Sequence, residues 1–347
     1  MMNTHVVIMA GGIGSRLWPV STPEMPKQFI DILGVGRTLI QLTVDRFSPV
    51  CTMDNVWIVT SRRYVDIVRR QLPEIPEENI LAEPEPRNTA PCIAYACRKI
   101  AMRNPDANVV VASSDAIILD NVKFIDAVRK ALDFTEAGGT IVTVGITPTR
   151  PETGYGYIHA AGAQEGCVGK VSEFREKPDL KTAESYLEDG GFFWNAGIFI
   201  WNVNTIDEQL RKYAPQISAV MDELAPSFYT EREQTELERL FGRCDKISVD
   251  YAVMEKSDEI YVIPCNPGWS DLGSWGSVRT HIDMDTDGNA VVGSDVRMFG
   301  CKDCIVHTSG CDTVIIEGLE GYAVASKGGN LLVCRLSEEQ HIKDFLA

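Results

Sequence analysis

His5-Val6-Val7-Ile8-Met9, an apolar run of strand length, leads within two residues into Gly11-Gly12-Ile13-Gly14-Ser15-Arg16-Leu17-Trp18-Pro19. A strand that empties into a glycine-rich turn offers backbone N–H groups to phosphate oxygens with no side chain in the way. By itself such a cluster is equally a tight turn. It is not a Walker A loop, because no Gly-Lys-Ser/Thr follows at the required spacing. A dinucleotide fingerprint fails as well, since Leu17 stands where the third glycine belongs. The continuation adds weight: Arg16 and then Pro26-Lys27-Gln28-Phe29 place two cations beside the turn. A single Lys or Arg is by default a solvated surface cation, but a pair flanking a glycine-rich nest makes an electropositive pocket.

Outward from this turn, strand-length runs at Asn55–Thr60, Asn79–Glu83, Asn108–Ala112 and Thr140–Ile146 alternate with helical patterns. Those patterns cover Leu39–Phe47, Tyr64–Leu72, Thr89–Arg103 and Lys123–Ala137, with apolar residues every three or four positions. The β-α-β-α order predicts a mostly parallel sheet covered on both faces, with ligands outside the carboxyl ends of the strands. From Gly154 to Trp201 the texture shifts to strands broken by glycine and aromatic residues, then helices to about Lys256, which suits a lobe closing over the first. Beyond Asp285, Val291–Val296, Cys304–His307, Thr313–Glu317 and Tyr322–Ala325 are short strands between glycine-bearing turns, the pattern of a small β unit or short solenoid.

The 347 residues suggest roughly two domains. With 44% hydrophobic and 24% charged residues, the composition is that of a folded chain. Thirty-three Lys+Arg against 49 Asp+Glu give a net charge of −16, which makes the chain a poor candidate for tracking DNA or an anionic membrane. Any phosphate ligand must then be held by local cations and backbone N–H. No apolar run reaches the ~18 residues of a membrane span, and no basic leader precedes the first strand. Ten cysteines in a chain of this length read as reduced thiols, and so as a cytoplasmic setting.

Gly11–Pro19 followed by Pro26-Lys27-Gln28-Phe29 resembles the opening motif of the sugar-1-phosphate nucleotidyltransferases. Similar to that family, and in its order, are Glu83-Pro84-Glu85-Pro86-Arg87-Asn88-Thr89-Ala90-Pro91, Phe174-Arg175-Glu176-Lys177-Pro178 and Trp194-Asn195-Ala196-Gly197-Ile198-Phe199. Asp250-Tyr251-Ala252-Val253-Met254-Glu255-Lys256 and Gly268-Trp269-Ser270-Asp271-Leu272-Gly273-Ser274-Trp275 complete the series. The Trp18 and Gln28-Phe29 forms resemble the guanylyl-transferring, mannose-specific branch. The resemblance implies an α/β, Rossmann-like nucleotidyltransferase domain with a mixed, mostly parallel sheet over 1–280. A β-rich, left-handed β-helix-like unit over 285–347 would follow and mediate self-association, with a homodimer as the expected assembly. It implies that the chain transfers GMP from GTP to α-mannose 1-phosphate, with Mg²⁺ as cofactor and with no nucleic-acid or membrane partner. A cupin-like isomerase domain found in some bifunctional relatives has no counterpart here, so one activity is expected.

The implied chemistry is an in-line displacement at the α-phosphorus, which needs positioning and charge cancellation rather than a protein nucleophile. By position in the family, Arg16 and the Gly11, Gly12, Gly14 and Ser15 amides hold the triphosphate, and Lys27 serves the reacting centre. Asp115, just past the strand Asn108–Ala112, and Asp271 are the implied metal ligands; Mg²⁺ is satisfied by one or two carboxylates plus phosphate oxygens. An Asp at a strand end is otherwise a turn former or helix cap. Relatives commonly carry His directly after the first aspartate, where this chain has Ala116. Glu83 is the candidate guanine reader, accepting from N1–H and the exocyclic amine, with Asn88 and Thr89 beside it; the alternative is a carboxylate facing water before a Pro-rich turn. Gly156, Glu176, Lys177 and Asn195 resemble the sugar-phosphate-binding positions, whereas out of context they are turn residues.

Other readings are weaker. Gly268-Trp269-Ser270-Asp271-Leu272 lacks the second glycine of a nucleophile elbow. Cys301, Cys304, His307 and Cys311 do not match the spacings of common zinc sites. The clustered aromatics Phe192, Phe193, Trp194, Phe199 and Trp201 read as core. A relative specific for another sugar or base, or a non-catalytic sugar-nucleotide sensor on the same fold, remain as alternatives.

Overall fold

The computed structural model describes residues 3–12 and 14–346; Ile13 of the glycine-rich turn lies outside the described residues. The chain divides into two compact units. The first comprises residues 1–11, 44–113 and 118–269, and the second 12–43, 114–117 and 270–347.

In the first unit five strands form at the predicted runs, where β-branched residues cluster, and five more join them. They are β1 (Thr4–Ala10), β2 (Val56–Ser61), β3 (Ile80–Glu83), β4 (Asn108–Ser113), β5 (Ile141–Ile146), β6 (Tyr157–His159), β7 (Gly169–Lys170), β8 (Glu173–Arg175), β9 (Phe192–Asn202) and β10 (Ile260–Pro264). The main path runs β3-β2-β1-β4-β9-β5-β10-β7, with β6 and β8 beside β9. Strands β3, β2, β1 and β4 are mutually parallel, and so are β5 and β10. This is the mixed, mostly parallel sheet expected of the fold class.

The segment expected as a closing lobe is instead sheet. Strand β9 runs antiparallel between β4 and β5, at the centre. Its texture fits that place: Phe199, Ile200 and Trp201 are buried, and a strand covered on both faces has no polar side to show. Alternate residues of the parallel strands serve one core. Val7, Trp57, Val59, Val109 and Val111 join Ile93, Ala96 and Ile100 of the helix Thr89–Arg103, together with residues of the helices Val203–Tyr213 and Pro215–Leu224. No helix among the described residues is long and apolar enough to cross a membrane, and all ten cysteines are free thiols.

The second unit contains the tail strands β11 (Ala290–Val292), β12 (Val296–Phe299), β13 (Ile305–Thr308), β14 (Val314–Glu317), β15 (Tyr322–Lys327) and β16 (Asn330–Arg335). Strands β11, β13 and β15 stack in parallel, as do β12 and β14, which is the coiled, β-helix-like unit expected. The single run predicted over Val291–Val296 is split by a corner at Gly293–Asp295 that turns the chain from one sheet to the other. Strand β16 went unpredicted; it closes the stack antiparallel to β15. The four residues weighed as a zinc site are absorbed into this unit. Cys301 Sγ lies 3.6 Å from the Ile316 carbonyl, Cys304 Sγ 3.3 Å from that of Leu319, and Cys311 Sγ 3.3 Å from Ser326 Oγ. His307 packs its ring on Trp275.

Asn289, 3% exposed, pins the first coil. Its Nδ2 donates to the Cys301 carbonyl at 3.0 Å and its Oδ1 accepts from the Cys304 N–H at 3.1 Å. Removing the carboxamide leaves buried backbone groups unpaired, each costing about 1–3 kcal/mol. Asn289→Ala should therefore lose about 2 kcal/mol or more of stability in urea unfolding, whereas Asn330→Ala, at an exposed position, should change it little.

Candidate active site

Three of the sequence candidates meet in the second unit. Lys27 opens a 3-10 turn, Lys27–Phe29, and is 7% exposed. Its Nζ lies 3.2 Å from Asp115 Oδ2 and donates to the Asp271 carbonyl at 2.5 Å and the Leu272 carbonyl at 3.3 Å. Aspartates 156 positions apart in sequence approach because Ile117 and Ser270 form an antiparallel bridge, with N–H···O distances of 2.8 and 3.1 Å. That bridge sets the residues just before Ile117 beside those just after Ser270. The Asp271 side chain caps its own turn, Oδ1 accepting from the Gly273 N–H at 3.1 Å.

The glycine-rich turn is shaped to this lysine. Gly14 has φ +66°, and a Cβ there would sit 2.9 Å from Lys27 Cγ, so glycine is needed for both conformation and space. Gln28 Nε2 donates to the Gly12 carbonyl at 2.9 Å, tying the turn to the Lys27 segment. Ser15 and Arg16 lie in the 3-10 turn that follows, and Arg16 contacts a residue no sequence pattern suggested: its Nη1 donates to Gln340 Oε1 at 3.0 Å.

Two further clusters belong to the first unit. Glu83, the last residue of β3, is 8% exposed and does not face water. Its Oε1 is buried with no hydrogen-bond partner among the described residues, and a Cβ on Gly11 would lie 4.0 Å from its Oε2. Burial pushes its carboxyl up to about 8. Beyond it, Asn88 adopts φ 68°, ψ −170°, a region that costs a residue with a side chain of order 1–3 kcal/mol. Its Oδ1 accepts from Thr89 N–H at 2.9 Å, and Thr89 Oγ1 accepts from the Val249 N–H at 2.9 Å.

The third cluster gathers Gly156, Glu176, Lys177 and Asn195. A Cβ on Gly156 would stand 2.5 Å from Glu176 Oε2 and 3.4 Å from Asn195 Cβ, so only glycine leaves room for that carboxylate. Glu176 is ion-paired with Lys177, whose own φ is +49°. Asn195 sits in β9 rather than in a turn, and its Nδ2 donates to Asp250 Oδ1 at 3.1 Å. Asp250 was not singled out from sequence, although the motif it opens was. Tyr155, between the edges of Trp194 and Trp269, borders the same region.

Chemically, the second unit brings together the Asp115 carboxylate, the Lys27 ammonium and the Asp271 and Leu272 carbonyls, with the Asp271 carboxylate in the same turn, all of them hard oxygen or cationic groups. No group of three or more His, Cys, Asp or Glu side chains able to hold a metal occurs among the described residues. The pair suits an ion that takes most of its oxygens from a ligand. The first unit offers a buried, unmatched carboxyl and a polar pocket of carboxylates, amide and lysine.

The raised Glu83 carboxyl carries a consequence for stability. Between the ordinary Glu range and pH 8 the native state keeps a proton that the unfolded chain has lost, so stability falls as pH rises through that window. Glu83→Gln, which cannot ionise, should be the more stable protein at pH 9, its advantage shrinking as pH falls toward 5. Equal slopes of unfolding free energy against pH for both proteins would contradict the assignment.

Residues 5–287 match the family described as nucleotidyl transferase. The chain is 37% identical over 349 residues to the mannose-1-phosphate guanylyltransferase of Salmonella montevideo, spanning 98% of this chain and 72% of that protein. Identity to the protein of the same name from Escherichia coli strain K12 is 35% over 351 residues, with 98% and 72% covered. A crystal structure described as mannose-1-phosphate geranyltransferase, from Thermus thermophilus, superposes with a TM-score of 0.88 at 29% identity, covering 99% of this chain and 98% of that one.

Proposed function

This chain belongs to the nucleotidyl transferase family, and we propose that it moves GMP from GTP onto α-mannose 1-phosphate, giving GDP-mannose and pyrophosphate. The observation that carries this reading is the Lys27–Asp115–Asp271 arrangement beside the glycine-rich turn, in a chain so similar to proteins named for that activity. A phosphate oxygen of the sugar phosphate attacks the α-phosphorus of GTP. The bond from that phosphorus to the β-bridging oxygen breaks, and pyrophosphate leaves with its electron pair. No proton or covalent enzyme intermediate is required, so the residues act by holding groups in line and offsetting charge.

The amides of the glycine-rich turn and Arg16 take the triphosphate, and Lys27 offsets charge at the reacting phosphate. Asp115 and Asp271 fit Mg²⁺ as hard oxygen donors and would hold it, and the ion would supply positive charge against the repulsion between phosphate groups. Glu83 reads guanine. As a carboxylate it accepts from N1–H and the exocyclic N2–H₂ together, while adenine offers no such pair and uracil one N3–H. A buried acceptor left unmatched by the wrong base penalises that base. Asn88 and Thr89 hold the neighbouring turn. Glu176, Asn195 and the Gly156 backbone take hexose hydroxyls, and Lys177 takes the sugar phosphate.

The test is pyrophosphate release across GTP, ATP, UTP and dTTP with mannose 1-phosphate and glucose 1-phosphate, with and without a chelator. GTP with mannose 1-phosphate and Mg²⁺ should be fastest. No release with any pair would defeat the reading and favour a sensor on this fold; preference for another pair would reassign the substrates. Lys27→Ala, Asp115→Asn and Asp271→Asn should each lose at least ~10²-fold in turnover, the scale of a lost transition-state contact. The aspartate variants should also need more Mg²⁺. Glu83→Gln should narrow the preference for GTP over ATP and UTP. In the wild type, that preference should grow as pH rises toward 8, because the protonated carboxyl keeps fewer acceptor sites.

A further inference from the structure

Asp250 has no role in the scheme above, yet it touches its sugar side. The residue opens the short helical turn Asp250–Met254, and Asn195 Nδ2 donates to its Oδ1 at 3.1 Å. The other end of the same carboxamide is already engaged. Asn195 Oδ1 accepts from Thr143 Oγ1 at 3.0 Å and from the Gly197 N–H at 3.1 Å. An amide oxygen has two lone pairs and its nitrogen two N–H groups. The oxygen is therefore engaged inside the protein, by the Gly197 N–H and by the Thr143 hydroxyl, whose single proton also faces the Ile198 carbonyl at 3.2 Å, and one N–H goes to Asp250. A single N–H is left for a ligand. The orientation is fixed from both ends, since a backbone N–H can face only the oxygen and an ionised carboxylate only the nitrogen.

We propose that Asp250 is a positioning residue for the sugar 1-phosphate: its carboxylate holds the Asn195 carboxamide so that the remaining N–H is presented to a hexose hydroxyl beside Glu176. The inference rests on the guanylyltransferase reading and says how its sugar site is held. Asn195 then meets the sugar through this N–H, and Glu176 and backbone carbonyls accept from the sugar's hydroxyl hydrogens. Glu176 is kept in place by its ion pair with Lys177 and by its N–H donating to Glu255 Oε1 at 3.1 Å, in space left by the absent side chain at Gly156.

Burial first, and then the negative charge of Glu176, raise the Asp250 carboxyl to about 6; Lys177 and hydrogen bonds from Ser248 and its own backbone oppose them. Glu176, Lys177 and Ser248 are the charged and hydrogen-bonding groups acting on Asp250; Tyr251 bears on Lys177 and Glu255 on Glu176. Above that pH the group is an anionic, strong acceptor. Below it, the protonated acid is a weaker one, and the hold on Asn195 loosens. Sugar 1-phosphate binding should weaken as pH falls through 6, beyond what the ligand's own ionisation explains.

Asp250→Asn keeps the size and an acceptor oxygen but removes charge and titration. The experiment compares wild type and Asp250→Asn in steady-state kinetics from pH 5 to 8, with calorimetric binding of mannose 1-phosphate and of GTP alone. The expected result is a KM and Kd for mannose 1-phosphate raised ~10-fold, the worth of a charge-assisted hydrogen bond made neutral. GTP binding should be unchanged, kcat should fall no more than about threefold, and the part of the wild-type acid limb near pH 6 that exceeds the ligand's own ionisation should vanish. The ligand's ionisation is common to both proteins and cancels in their ratio. A variant with wild-type affinity for the sugar phosphate and the acid limb intact would overturn the proposal. So would equal losses toward sugar phosphate and GTP with a lowered melting temperature, the mark of a structural role. A wild type that binds GTP but no sugar 1-phosphate overturns the functional reading itself, and this inference with it.

Discussion

A buried ammonium organises the second unit. Lys27 is almost sealed from water, where an unpaired charge would cost many kcal/mol, so its surroundings must supply oxygens. They come from segments far apart in sequence: a carboxylate from Asp115 and carbonyls from Asp271 and Leu272. Several local oddities follow from that demand. Gly14 lacks a side chain because the Lys27 stem occupies the space one would need. Leu272, fully buried, takes φ 44°, unusual for a leucine, in the turn whose carbonyls face Lys27. The Ile117–Ser270 bridge, a two-hydrogen-bond sheet fragment with no strand around it, brings the two acidic segments to the same ammonium.

How much of this was legible depends on the range over which each feature is decided. The helices Leu39–Phe47 and Thr89–Arg103 form at their predicted bounds, because a 3.6-residue apolar period is a local signal. The place of β9 is a long-range fact. Its aromatic residues announced burial, but periodicity could not say that it would enter the sheet centre antiparallel and not build a lobe. Strand β16 escaped notice because it pairs as a lone antiparallel cover on a parallel stack, with Leu331 and Val333 exposed between buried Leu332 and Cys334. The site divides the same way. Lys27, Asp115 and Asp271 were legible through motifs, and so was Glu83 at a strand end; whether Glu83 faced water or core was not, and the structure puts it in the core. Gln340 opposite Arg16 and Asp250 opposite Asn195 carry no spacing signal of their own and depend on folding to find their partners.

A net charge of −16 opposes the approach of two phosphorylated substrates, and the arrangement of the cations offsets that opposition locally. The lysines assigned to phosphate are each held against a carboxylate, Lys27 on Asp115 and Lys177 on Glu176, and Arg16 rests on a neutral amide. Without ligand each cation is thus already satisfied, and the local charge is close to balanced despite the acidic surface. A phosphate must compete with these internal partners. It then trades one carboxylate contact for a contact with a more highly charged group, an exchange that favours polyphosphates and dianions over singly charged anions. The displaced carboxylates differ in what they can do next. In the function proposed above, Asp115 would turn to a divalent cation, while Glu176, given room by Gly156, would turn to a sugar hydroxyl. The same ion-pair device thus recurs in both units, Lys27 held on Asp115 in one and Lys177 on Glu176 in the other.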